Sequence, residues 1–228
     1  MTMPNLKTAF ERAKSGTGRL HLLGLISDGG VHSHITHLFA LLDEAKAYGI
    51  AHTYVHFFGD GRDTSPRSAT GYLKDLLEHL KTLEYGTLAT VVGRYYAMDR
   101  DKRWERVKVA YELLTQGKGD ETQNVIQTVE ERYSKDETDE FLTPIVCDKE
   151  GILKEGDTAV FFNFRSDRMR EINQALGIPP LPFESSPVPK DLVGDCFQSP
   201  ASIEIHINIK RSYNRKLTNT CHLRQSPP

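Results

Sequence analysis

Apolar positions recur along this chain in two alternating rhythms. Leu20 to Ile26, His52 to Phe58, Leu88 to Val92 and Thr158 to Phe164 are short, nearly continuous apolar runs, the pattern of strands buried on both faces. Between them the apolar residues fall three and four apart, as on one face of a helix. Leu6, Ala9, Phe10 and Ala13 form such a stripe within Asn5 to Lys14, and Ile35, Leu38, Phe39, Leu42 and Ala45 form the next, closed near Gly49. Ala69, Leu73, Leu76, Leu77 and Leu80 make a third, for which Ser65 and Pro66 read as N-cap and first helical residue. Trp104, Val107, Ala110, Tyr111 and Leu114 make a fourth, stopped at Gly117, and Met169 to Leu176 a fifth. This repeated strand-helix alternation predicts an α/β fold: a mostly parallel sheet with helices on both faces, a three-layer αβα arrangement.

Two stretches depart from the rhythm. Asp120 to Glu140 is acidic and only partly periodic, with a short helix expected around Val125 to Tyr133 on a solvated face. From Gly177 the chain turns rich in proline and serine, and past Leu192 only Ile203 to Ile209 alternates like a strand. The expected division is therefore a domain over 1–192 and a poorly ordered tail over 193–228.

Composition narrows the class of partner. Lys and Arg total 29 against 31 Asp and Glu in 228 residues, so nucleic acid and membrane surfaces are not expected partners, and any selectivity for anions must be local. The cysteines Cys147, Cys196 and Cys221 form no Cys-x-x-Cys, which predicts neither a disulfide framework nor a zinc knuckle and suits a reducing cytoplasm. No run approaches the roughly 18 to 20 apolar residues of a membrane span. Lys14 to Gly18 lacks the spacing of a phosphate loop and precedes a strand. Gly59-Asp60-Gly61 follows a strand, but Thr64 stands where a dinucleotide fingerprint needs its third glycine, which sets aside a nucleotide-binding oxidoreductase.

The chemistry concentrates where predicted strands end. Leu25 runs into Ser27-Asp28-Gly29-Gly30-Val31-His32, a glycine turn in which backbone amides and the following helix start can approach an anion. The second strand ends in Arg62 and Asp63, the third in Arg94 and Arg100, the fourth in Arg165 and Arg168. In a parallel sheet these ends share one edge, so five arginines and a histidine converge on a site for a small anion bearing phosphate and carboxylate groups. Each planar guanidinium fork grips such oxygens in pairs, a charge-assisted contact contributing roughly 1.5 to 3 kcal/mol. The plainer alternative for any one arginine is a solvated side chain, or a pair with Asp60, Asp99, Asp101 or Asp167. Asp63 is either an acid/base for a substrate hydroxyl or a helix-start contact. His34, His37, His52 and His56 are not read as metal ligands.

These residues resemble a known family, the 2,3-bisphosphoglycerate-independent phosphoglycerate mutases. The resemblance rests on Ser-Asp-Gly-Gly-Val-His-Ser-His at 27–34, Asp-Gly-Arg-Asp-Thr at 60–64, Gly-Arg-Tyr-Tyr-Ala-Met-Asp-Arg at 93–100 and Phe-Asn-Phe-Arg-Ser-Asp-Arg at 162–168. It covers roughly Leu6 to Leu192 and implies the phosphotransferase domain of an enzyme that interconverts 3-phosphoglycerate and 2-phosphoglycerate in glycolysis. It further implies that His32, Arg62, Asp63, Arg94, Arg100, Arg165 and Arg168 bind substrate, with Asp63 as acid/base. A cytoplasmic monomer is expected, with small-molecule substrate, two manganese ions and no 2,3-bisphosphoglycerate.

The family's phosphoserine nucleophile, its metal ligands and a substrate-contacting lysine have no counterpart here, and neither Lys210 nor Lys216 can be assigned as that lysine. The isolated chain is therefore expected to bind substrate without turning it over, as a truncated or frameshifted product or an incomplete assembly would. The alternative is a noncatalytic phosphoglycerate-binding or protein-interaction module that uses the basic residues Lys210, Arg211, Arg215 and Lys216 for a partner.

Overall fold

The sheet strands and their helices follow the predicted alternation closely. The computed structural model describes residues 4–177, Pro182, and the backbones of two strands, Leu192–Ser199 and Ser202–Ile209. In chain order the elements are α1 (Pro4–Ser15), β1 (Arg19–Leu25), α2 (Ile35–Tyr48), β2 (His52–Gly59), α3 (Ala69–Leu83) and β3 (Thr87–Gly93). A one-turn α4 (Arg94–Ala97) and α5 (Trp104–Gln116) follow, then β4 (Asp120–Glu121), α6 (Val125–Tyr133), β5 (Ile145–Val146), β6 (Thr158–Phe161) and α7 (Arg170–Gly177). The strands after 190 are β7 (Leu192–Ser199) and β8 (Ser202–Ile209).

The sheet order is β4-β5-β3-β2-β1-β6-β8-β7. Its centre, β3-β2-β1-β6, is parallel. Short β5 runs antiparallel to β3, and β8 runs antiparallel to both β6 and β7. Alternate residues of each central strand enter different cores, which is why the runs are continuously apolar. Leu20, Leu22, Val55, Phe57 and Val91 meet α1, α2, α3 and α6 on one face. Leu23, Leu25, Phe58, Val92 and Phe161 meet α5 and α7 on the other. Burying each such Leu, Val or Phe contributes roughly 1.5 to 3 kcal/mol, which makes both helix layers integral to the sheet.

Helix ends follow local chemistry where the cap is local. Gly49, at φ 76°, and Gly117, at φ 66°, close α2 and α5 in the left-handed region and return their amides to carbonyls one turn back. The third helix corrects the expectation from Ser65 and Pro66, since it begins at Ala69. Its cap is Asp139, whose Oδ2 accepts from the Ser68 amide at 2.8 Å and the Ala69 amide at 2.9 Å. A carboxylate some 70 residues away leaves no local signature. The same residue corrects the reading of Asp120 to Glu140 as a solvated face, because Asp139 is buried, and so are Val125 and Val129 of α6.

The fourth strand is also shorter than expected. After Phe161 the Asn163 side chain takes over the pairing, its Oδ1 accepting from the Leu25 amide at 2.9 Å, and the chain leaves the ladder toward His32. The expected strand over Ile203 to Ile209 coincides with β8; the basic positions Lys210, Arg211, Arg215 and Lys216 lie outside the described residues.

Segment 139–142 ties the edge of the sheet to its neighbouring turns. It crosses the ends of β2 and β3 so closely that a Cβ on Gly59 would sit 2.5 Å from the Asp139 carbonyl oxygen, and one on Gly93 2.2 Å from that of Glu140. Only glycine permits that approach. The Gly93 amide seals it by donating to the Leu142 carbonyl at 2.7 Å.

Candidate functional site

The C-terminal ends of β1, β2, β3 and β6 meet along one edge, and each delivers a turn. The turn after β1 is closed by the Ile35 amide donating to the Ser27 carbonyl at 2.9 Å. Gly30 takes a φ of 68° within it, and a Cβ on Gly29 would press on Asp63 at 3.2 Å. The following helix start is not open to an anion in the way the sequence suggested. His34 extends ahead of α2, and its Nδ1 accepts from the Thr36 amide at 3.3 Å. What the turn presents instead is His32, whose ring is buried and whose carbonyl accepts from the Phe164 amide at 2.8 Å.

Asp60 organises the second turn. Its Oδ1 accepts from the Arg62 amide at 3.2 Å and the Asp63 amide at 3.0 Å, and its Oδ2 accepts from the Ser27 hydroxyl at 2.7 Å. Arg94, also buried, reaches in from α4 with Nη1 at 2.6 Å from both Asp60 Oδ1 and Asp63 Oδ2. Burial alone would raise the Asp60 pKa, but the bonds from the Asp63 amide, Ser27, the Arg62 amide and Arg94 outweigh it and hold the carboxyl below its ordinary range. Sequence reasoning gave Asp60 no role beyond a pairing acid. Its signal was present, since an aspartate two and three residues before the amides it receives is an Asx-turn pattern.

His32 and Asp63 complete the inner part. His32 Nε2 lies 3.9 Å from Asp63 Oδ2, and His32 Nδ1 has no hydrogen-bond partner among the described residues. Burial first, and the Arg94 charge second, push the imidazole below its ordinary pKa, so at neutral pH it is an uncharged ring that can donate or accept one proton.

The outer arginines are half-exposed and held more loosely. Arg62 Nη1 is 3.5 Å from Glu140 Oε1. Arg100 Nη1 donates to Asp167 Oδ2 at 3.0 Å, and Arg165 Nε lies 2.9 Å from Asp167 Oδ1. Arg168 donates from Nη1 to the Met98 carbonyl at 3.0 Å. Burial lowers the Arg168 pKa, and the charges of Arg100, Arg94 and Arg62 lower it further. All seven residues singled out in the sequence thus lie in one cluster. Against five guanidiniums stand the carboxylates Asp60, Asp63, Glu140 and Asp167, so the pocket keeps a cationic bias. Glu140 was missed for want of any local signal: it reaches Arg62 only through segment 139–142.

The other histidines go elsewhere. His56 is buried against His21, and His52 stacks on Tyr54. Among the described residues no three His, Cys, Asp or Glu side chains form a group that could hold a metal, and no helix is long and apolar enough to cross a membrane. The described residues therefore do not fit a resident metal ion. Cys147 is half-buried with its thiol pushed up to about 12 by burial, which makes it a poor ligand or nucleophile. The side chains of Cys196 and Cys221 lie outside the described residues.

Comparison with known proteins places this edge in a family. The model of the BPG-independent PGAM N-terminus (iPGM_N) matches residues 1–192. The 2,3-bisphosphoglycerate-independent phosphoglycerate mutase of Onchocerca volvulus is 55% identical over 176 residues, covering 76% of this chain and 34% of that protein. The enzyme of the same name from Caenorhabditis elegans is 56% identical over 182 residues, covering 78% and 34%. Among solved structures, Leishmania mexicana phosphoglycerate mutase at low cobalt concentration superposes with a TM-score of 0.74 at 25% identity, over 81% of this chain and 36% of that one. The chain spans about a third of the length of the curated relatives it matches. A match across residues 1–192, which hold every turn of the cationic edge, shows that the chain belongs to the 2,3-bisphosphoglycerate-independent phosphoglycerate mutases, in the region described as their N-terminus.

Proposed function

We propose that residues 1–192 hold phosphoglycerate for the interconversion of 3-phosphoglycerate and 2-phosphoglycerate. The observation that carries this reading is the convergence of five guanidiniums and a neutral, buried histidine on one sheet edge. A ligand with a phosphate at one end and a carboxylate at the other can use several forks at once. Arg100, Arg165, Arg168 and Arg62 grip the anionic groups, and Arg94 locks the Asp60-Gly61-Arg62-Asp63 turn while facing the pocket. His32 supplies a hydrogen bond to a phosphoryl oxygen. Asp63, held in place by Arg94 at 2.6 Å, takes and returns the proton of the glycerate hydroxyl.

On this reading neither the serine that accepts the phosphoryl group nor a manganese site is supplied by this chain's residues. The reading places the protein in the cytoplasm as a monomer, and the chain by itself is inactive as a mutase. No residue of this chain is given a metal-binding role.

Isothermal titration of the purified chain with 3-phosphoglycerate tests the pocket. Saturable heat is expected, and Arg165→Ala should weaken binding by roughly 1.5 to 3 kcal/mol, enough to abolish the signal from a weak complex. Equal heats for variant and parent would remove the pocket assignment. Turnover by the chain in a manganese-supplemented coupled assay would overturn the inactivity.

A further inference from the structure

The two shells of the site differ in what holds their guanidiniums. Arg94 is clamped by carboxylates on the protein side, and Asp60, like Arg94, is buried. Such a pair does not open, because freeing either charge inside the fold costs far more than an exposed pair returns. Asp167 is placed otherwise. It sits within the Phe164 to Arg168 turn, its side chain is 31% exposed, and its two oxygens face Arg100 at 3.0 Å and Arg165 at 2.9 Å. Those two guanidiniums are 45% and 49% exposed and come from the ends of β3 and β6. One carboxylate therefore lies against two of the guanidiniums that an incoming anion would take, hydrogen-bonded to Arg100 through Oδ2 and paired with Arg165 by charge alone, its buried Oδ1 having no hydrogen-bond partner among the described residues.

We propose that Asp167 is an internal competitor for the ligand's anionic group: a phosphate or carboxylate engages Arg100 and Arg165 only by displacing the Asp167 carboxylate. The consequence has an unusual sign. A residue that shaped the pocket would weaken binding when neutralised, whereas a competitor strengthens it. Losing Asp167 frees two forks and adds one positive charge to the cluster, which favours any anion. Exposed ion pairs are individually weak, so the expected gain is modest, about three- to tenfold. Asp167 also balances its neighbours, since burial would raise its pKa, but the Arg100 bond and the Arg165 charge hold it low, and it stays charged at neutral pH.

The test titrates the chain and Asp167→Asn with 3-phosphoglycerate and, separately, with inorganic phosphate at low salt. Binding of both anions about three- to tenfold tighter in the variant is expected. Equal or weaker binding by a variant that melts at the parent's temperature overturns the proposal, as does absence of binding by either protein. If Asp167→Asn does not fold, nitrogen NMR of the arginine Nε–H groups of the parent decides. Phosphate must shift the Arg165 signal while leaving that of Arg19 in place, and an unmoved Arg165 signal refutes the exchange.

The identity of the ligand rests on the proposed phosphoglycerate function, and the two readings fail separately. If 3-phosphoglycerate binds no better than inorganic phosphate yet both tighten in the variant, the substrate reading falls and the competitor role stands. If 3-phosphoglycerate is strongly preferred and the variant binds it less well, the reverse holds.

Discussion

On β1 and β2 and just before β6 an arginine, an aspartate and two histidines meet in the interior; at the C-terminal ends of the same strands, the same residue types line a partly exposed edge. In the first cluster Asp157 accepts from Arg19 Nε at 2.9 Å, from the Lys154 amide at 2.9 Å and from the Thr17 hydroxyl at 2.9 Å. His21 Nε2 lies 2.9 Å from Asp157 Oδ2, His21 Nδ1 3.0 Å from His56 Nε2, and His56 Nδ1 2.8 Å from the Thr90 hydroxyl. Because the carboxylate only accepts, protons run one way: Thr90 to His56, His56 to His21, His21 to Asp157. Each of the four side chains has its partners. In the second cluster His32 Nδ1, Arg94 Nε and Asp167 Oδ1 are buried without hydrogen-bond partners among the described residues, and four guanidiniums are partly exposed. Residue type therefore does not distinguish scaffold from site. What distinguishes them is whether hydrogen-bonding capacity is used up internally.

The comparison breaks most sharply at Asp157. Asp157→Ala strands Arg19 and the His21 ring together and is expected to cost about 3 to 5 kcal/mol in urea denaturation. A loss below about 1 kcal/mol would mean the inner cluster is not structural. Arg165→Ala is expected to show the opposite profile. It should weaken 3-phosphoglycerate binding while changing stability by no more than about 0.5 kcal/mol, since the side chain is half-exposed. If it unfolds the chain instead, the outer arginines belong to the scaffold.

The smallest expected effect is pH dependence. Burial pushes His21 below its ordinary pKa and His56 well below. In the unfolded chain both take up protons near about pH 6.5 while the folded rings stay neutral. The unfolded state then binds more protons, so stability is complete above about pH 6.5 and falls as the pH drops through that value, by on the order of 1 kcal/mol per ring by about pH 5.5. Urea midpoints at about pH 7.5 and 5.5 check the sign. A flat profile would contradict the neutral, one-way chain.

Much of the fold was legible in the order of residues alone. The four central strands were readable because burial on both faces leaves uninterrupted apolar runs, and the helices because each buries a single stripe. The recurrence of Arg62, Arg94, Arg100, Arg165 and Arg168 after those runs pointed to one edge, since parallel strands end together. Asp139 capping α3 was not legible, because its partners lie some 70 residues away. Nor was β5, two residues long and paired antiparallel to β3. Local propensity carries no information about either.

The sequence by itself determined the strand-helix alternation, the glycines on which the turns depend and the identity of the cationic side chains, because these follow from periodicity and residue chemistry along the chain. Only the tertiary structure decided that His21 and His56 are spent on Asp157 and Thr90 while His32 Nδ1 is left without a partner among the described residues. It also decided that Asp60 fastens Arg94 whereas Asp167 sits across two exposed forks. The physical reason is that burial and hydrogen-bond satisfaction are properties of neighbours in space, and the neighbours in question arrive from strands and turns far apart in sequence.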